Sequence, residues 1–118
     1  MKVQDLDVWK ASLDLAAEAY HMAEKFPENT TQGLGFLLRS SVTHLPANIA
    51  AAASRKYGTE SLKYIFRAKG IIYEIESMYH LAERLNYISP DELATSMESL
   101  DTAKRLLFGF IKYYKKSA

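Results

Sequence analysis

"ISPDELATSMESLDTAKRLLFGFIKYY", residues 88–114, is the stretch that decides the fold. Ser89 can cap a helix, and Pro90 suits its first position, where an N–H would have no partner anyway. Glu92 completes a capping box with Ser89, and Ile88 and Leu93 flank the start as a hydrophobic staple. From there Leu93, Met97, Leu100, Ala103, Leu107, Phe110, Ile111 and Tyr114 recur with helical period up to a basic tail. One face of a long helix is therefore apolar, and no strand-like alternation competes with it.

Three upstream segments share that period. The first begins near Asp5 or Asp7, either of which can cap it, and ends around Phe26-Pro27. Its core seam is expected at Leu6, Trp9, Leu13, Ala16, Tyr20 and Ala23. A second apolar line, Val8, Leu15, Ala19, Met22 and Phe26, lies about 100° around the same cylinder and is expected at an interface between copies of the chain. After the loop "PENTTQG", the second helix is expected from about Gly33 to Tyr57, closing at Gly58, with Arg55 and Lys56 in its last turn.

Between Gly33 and Ser54 only Arg39 carries a permanent charge. A helix this apolar is buried on most sides, more than four helices alone provide, which again points to a second copy. The third helix is expected from Thr59 to about Asn86, with Ile65, Ala68, Ile72, Ile75, Tyr79 and Ala82 as its seam. Four helices with short loops predict an all-α, up-down-up-down antiparallel four-helix bundle, one domain over residues 1–118.

Composition narrows the function classes. Fifteen basic and fourteen acidic residues leave a formal charge of +1, so binding to nucleic acid would rest on local patches. With no cysteine, disulfides, thiolate metal sites and a cysteine nucleophile are excluded. No apolar signal core opens the chain, and no run approaches the ~18 apolar residues of a membrane span, so a soluble, cytoplasmic protein is expected.

Inside the second helix, "HLPANIAAAASRKYG", residues 44–58, sets a proline and an asparagine among alanines. Pro46 removes a donor and frees the carbonyl of Val42, at a cost of about 3 kcal/mol in a helix interior. Ser40, Ser41, Thr43 and Asn48 lie close enough to compensate, and Glu74 is the expected partner of Asn48.

"DLDVWKASLDLAAEAY", "FP", "LLRSSVTHLPANIA", "AKGIIYEIE" and "LAERLNYI" resemble, in order and spacing, the bacterial four-helix-bundle proteins of intervening sequences in large-subunit ribosomal RNA genes. Pro46, Asn48, Gly70 and Glu74 match the family pattern. Ala51 and Ala52 stand where it usually has glutamate and glycine, and Ile71 and Ile72 where it has serine and leucine. The resemblance implies a bundle that assembles as a ring, typically of five chains. It also implies a relation to the accessory protein of diversity-generating retroelements, which binds nucleic acid.

Arg55, Lys56, Lys63, Arg67 and Lys69 flank the second interhelical loop, with Tyr57 and Tyr64 between them. Lys104, Arg105, Lys112, Lys115 and Lys116 follow Asp101 with no further acid. Interleaved cations and tyrosines suit phosphates and exposed bases, although lysines on a helix face also serve solvation alone. Glu76 and His80 lie four apart, but the Glu-x-x-His pair of a di-iron bundle is missing, so no metal or other cofactor is expected. No nucleophile elbow occurs, and no enzymatic activity is expected. The sequence thus predicts a non-enzymatic homo-oligomer, associated with RNA or DNA or serving as a scaffold. The alternatives are a purely structural assembly that binds a protein partner and a small-molecule binder using a ring's central channel.

Overall fold

The computed structural model describes residues 2–27, 32–55 and 58–117. A short 3-10 turn, Val3–Asp5, leads into α1 (Asp7–Glu24), α2 (Leu34–Ala53), α3 (Gly58–Arg84) and α4 (Pro90–Ser117). Each helix packs on two neighbours, α1 and α3 both lying against α2 and α4, which closes a four-helix square. Among the described residues no helix is long and apolar enough to cross a membrane.

The α3–α4 connection follows its local chemistry closely. Asn86 takes a left-handed conformation at φ 61°, which asparagine tolerates better than most residues. The Tyr87 N–H then reaches the Ala82 carbonyl and the Asn86 N–H reaches that of Glu83, a Schellman closure. Three residues later the capping box forms as the sequence predicts. The Ser89 N–H donates to the Glu92 carboxylate at 2.9 Å, and the Glu92 N–H donates to the Ser89 hydroxyl at 3.1 Å. The α3 seam is buried at all six expected positions, and Leu100 through Tyr114 bury the expected face of α4.

The first helix departs from expectation in two ways. Leu6, not Asp5 or Asp7, occupies the N-cap, without a side-chain hydrogen bond, because the 3-10 turn feeds the chain directly into the helix. The two apolar lines also divide differently from expectation: of the expected seam Ala23 is buried and Leu6, Trp9 and Ala16 pack partly against the core, but the second line goes fully inward. Val8, Leu15, Ala19, Met22 and Phe26, expected at an interface between copies, lie in the core of the chain itself. Leu13, expected in the seam, is 40% exposed, whereas Leu15 is fully buried. Tyr20 likewise faces outward, where its hydroxyl pairs with that of Thr43 on α2. Both lines have helical spacing, so periodicity alone does not choose between them. The buried Ser12 meets its need locally by donating to the Trp9 carbonyl at 2.6 Å.

The second helix ends at Ala53, earlier than expected, and Gly58 opens α3 instead of closing α2. The last-turn carbonyls already have partners there. The Ser54 N–H bonds the Ala50 carbonyl, the Ser54 hydroxyl that of Ala51, and the buried hydroxyl of Ser61 on α3 reaches back to that of Ala52 at 2.7 Å. Helix α2 continues on both sides of Pro46. The neighbouring polar groups bond elsewhere than the Val42 carbonyl: Thr43 donates to the Arg39 carbonyl and Asn48 to that of His44.

At the centre, Leu15, Leu38, Leu45, Ile72, Ile75 and Leu107 are essentially sealed from water. Each such side chain stabilises the fold by about 1.5–3 kcal/mol relative to leaving it exposed. Tyr79 is buried among them, and burial, with the nearby Glu18 charge, pushes its phenol well above the ordinary value of 10. Its hydroxyl therefore remains neutral through the physiological range.

Candidate nucleic-acid interface

Two stripes meet along the outer seam between α3 and α4. Phe66, Lys69, Tyr73 and Glu76 are spaced by three, four and three residues on α3, which places them on one flank. Lys104, Phe108, Lys112 and Lys115 do the same on α4, with spacings of four, four and three. The helices run antiparallel here, so the stripes interdigitate. The Lys104 ammonium lies 5.0 Å from the Tyr73 ring centre, that of Lys69 5.5 Å from Phe108, and that of Lys115 5.5 Å from Phe66. Each distance is within reach of a cation–π attraction.

Charge is unevenly spread along this seam. At one end the Lys104 ammonium donates to the Glu76 carboxylate at 2.7 Å, and this hydrogen bond holds the lysine above its ordinary pKa. Asp101 shares a shallow depression with Lys104, Arg105, Phe108, Gly109 and Lys112. The other end carries Lys69 and Lys115 near Phe66, and Lys112 stands between that end and the Asp101 depression. A polyanion therefore finds its attraction at the end away from Glu76 and Asp101.

The remaining sequence candidates fall into other places. Arg55 and Arg67 gather on one ring, that of Tyr64, at 4.6 and 5.3 Å, and Arg55 also donates to the Tyr64 hydroxyl at 2.8 Å. They face the α2 side of α3, so the five cations around the second loop do not form one patch: Lys69 belongs with α4. Arg55 lies beyond the end of α2 and not in its last turn. Lys63 and Lys116 are exposed, and Lys56 and Tyr57 lie outside the described residues. Phe66, Tyr73 and Phe108 were not among the sequence candidates, although their helical spacing from Lys69 and Lys112 was there to be read.

Three of the four motif residues meet in a second place. Asn48, Gly70 and Glu74 line a cleft of about 330 Å³ between α2 and α3, with Ser40, Ser41, His44, Arg67 and Ile71, and Phe66 borders it as well as the α3–α4 seam. The expected Asn48–Glu74 hydrogen bond is not the one formed. Asn48 donates to the His44 carbonyl at 2.8 Å, while Glu74 lies 3.5 Å from the Ser41 hydroxyl, at the long limit for such a bond. Asn48 is only half-buried, so its own helix suffices as partner. Pro46 does not line this cleft. A side chain at Gly70 would meet nothing within 4 Å, so the glycine answers no steric demand of its own fold.

Among the described residues no group of three or more histidine, aspartate or glutamate side chains could hold a metal ion. Compared with curated proteins, the chain has no match. The model of one family, described as 23S rRNA-intervening sequence protein, matches residues 4–109, most of the chain.

Proposed function

The chain belongs to the 23S rRNA-intervening sequence protein family, and on that premise we propose that it binds nucleic acid, without catalysis, through the α3–α4 seam. The observation that carries this reading is the interleaving of Lys69, Lys112 and Lys115 with Phe66, Tyr73 and Phe108 on one flank, where Phe66, Tyr73, Lys112 and Lys115 are exposed and Lys69 and Phe108 half-buried. Cations of this kind attract phosphates by releasing counterions. The rings add surfaces on which bases can rest. The test is a titration of labelled structured RNA and of duplex DNA at two salt concentrations. Binding that weakens steeply with salt, and weakens again in Lys112→Gln/Lys115→Gln, is the expected result. No binding at low salt overturns it.

A second reading, assembly of several copies into a scaffold, is favoured by a different observation. Phe36 and Leu37 at the start of α2 and Leu81 and Leu85 at the end of α3 are exposed at the same end of the bundle. Exposed apolar side chains grouped in this way suit a contact between proteins. The proposed assembly is a ring of five, the number that the sequence resemblance implies, and it would present five copies of a weak patch to one polymer. Light scattering after size exclusion measures it directly against the 13.4 kDa chain. A clean monomer at micromolar concentration overturns the assembly and leaves the nucleic-acid reading to its own test.

A further inference from the structure

The rings on the α3–α4 seam bear on the form of nucleic acid it takes. Phe66 and Tyr73 are 44% and 46% exposed, although large aromatic side chains are costly to leave in water. A lysine ammonium lies over the face of each, 5.0 Å from the Tyr73 centre and 5.5 Å from that of Phe66, so a stacking base takes the place of a side chain that can swing aside. Along α3 the two rings stand seven residues apart, about 10 Å by helical rise. Stacked bases follow one another at about 3.4 Å, so adjacent bases of an intact stack cannot serve both rings. A duplex also keeps its base faces inside the stack. It could offer this surface only phosphates.

We propose that the α3–α4 seam binds single-stranded nucleic acid with splayed bases, which stack on Phe66 and Tyr73 while Lys69, Lys112 and Lys115 hold the backbone. The proposal rests on the nucleic-acid reading above and narrows it to one class of ligand. On binding, Lys115 and Lys104 leave the ring faces to the incoming bases. Lys115 turns to phosphate, while Lys104 keeps Glu76. The Glu76–Asp101 end repels phosphate, so the strand is held at the Phe66 end and reaches Tyr73 last.

Three probes of equal length, labelled oligouridine, labelled oligothymidine and a labelled blunt duplex, distinguish the outcomes by fluorescence anisotropy at two salt concentrations. Both single strands are expected to bind at least tenfold more tightly than the duplex. Oligouridine binding well above oligothymidine would assign the site to RNA, and similar binding to either strand. Phe66→Leu/Tyr73→Leu, which keeps apolar bulk and removes the rings, is expected to weaken single-strand binding about tenfold or more with the salt slope unchanged. Lys112→Gln/Lys115→Gln is expected to lower the slope for every probe. Tyr113→Leu serves as control, since this exposed ring lies about 140° around α4 from Phe108; circular dichroism verifies that each variant folds. Duplex binding as tight as that of the strands, or a ring variant that binds like wild type, overturns the inference and leaves nucleic-acid binding standing. No binding to any probe overturns both.

Discussion

The α1–α2 half of this bundle, with helices of 18 and 20 residues, and the α3–α4 half, with helices of 27 and 28, are held in register by different means. The α3–α4 pair is joined by a Schellman closure and a capping box. In the α1–α2 pair, α1 starts without a side-chain cap, α2 carries an internal proline, and apolar residues occupy more than one face of both helices. Local chemistry specifies the first pair, and packing against neighbours specifies the second. Where a helix is apolar on two sides, its fit to the rest of the molecule decides which side goes in.

The sharpest way to break that contrast lies on α1. Leu15→Ala is expected to cost about 2–5 kcal/mol, because a fully buried leucine leaves a cavity that its neighbours fill only partly. Leu13→Ala, two residues away, should change stability by no more than about 0.5 kcal/mol. Urea unfolding of the two variants measures both, and equal losses would restore the seam expected from periodicity. A smaller effect is expected at the other half's defining feature: Ser89→Ala should cost about 1 kcal/mol by removing the cap of α4.

The same cap gives a pH signature. The hydrogen bond from Lys25, and then that from the Ser89 N–H, hold the Glu92 carboxyl below its ordinary value of 4.5. A carboxylate with a lowered folded pKa stabilises the fold above its unfolded pKa, and this contribution disappears as pH falls through the folded value. The stability difference between wild type and Glu92→Gln should therefore be present at neutral pH and vanish on acidification below 4.5. A difference that persists in acid would mean that shape, not charge, makes the cap. The smallest expected effect has the opposite sign. Gly70→Ala should stabilise the chain by up to about 1 kcal/mol, since nothing crowds the position and alanine favours helix. Loss of assembly in that otherwise more stable variant would mark α3 as a face that another copy approaches closely.

Legibility in the sequence follows the same division. The α3 and α4 seams and the Ser89–Glu92 cap were readable because they depend on residues within a turn or two of one another. The α1 seam was legible only in part, at Ala23 and the half-buried Leu6, Trp9 and Ala16, because a second line of the same period competes with it and goes inward. Ser61 closing the end of α2 could not be read, since that bond exists only once two helices are packed. The cation patch was half legible. Its lysines stand out as charges, but sorting them along the chain put Lys69 with Arg55 and Arg67, whereas sorting by helix face puts it with Phe108. Asn48 and Glu74 do share a cleft, but Asn48 donates to the His44 carbonyl of its own helix.

The buried phenol of Tyr79 also gives the molecule an optical reporter of its own integrity. Because its pKa is raised in the folded state, the associated stability is intact below the unfolded value of 10 and is lost as pH climbs beyond it. Ionising the Tyr79 phenol therefore goes with opening of the bundle. A late, abrupt step in an alkaline absorbance titration would time the collapse of the core, while Trp9, the single indole of the chain, reports from α1 by fluorescence whether that helix leaves with it or before it.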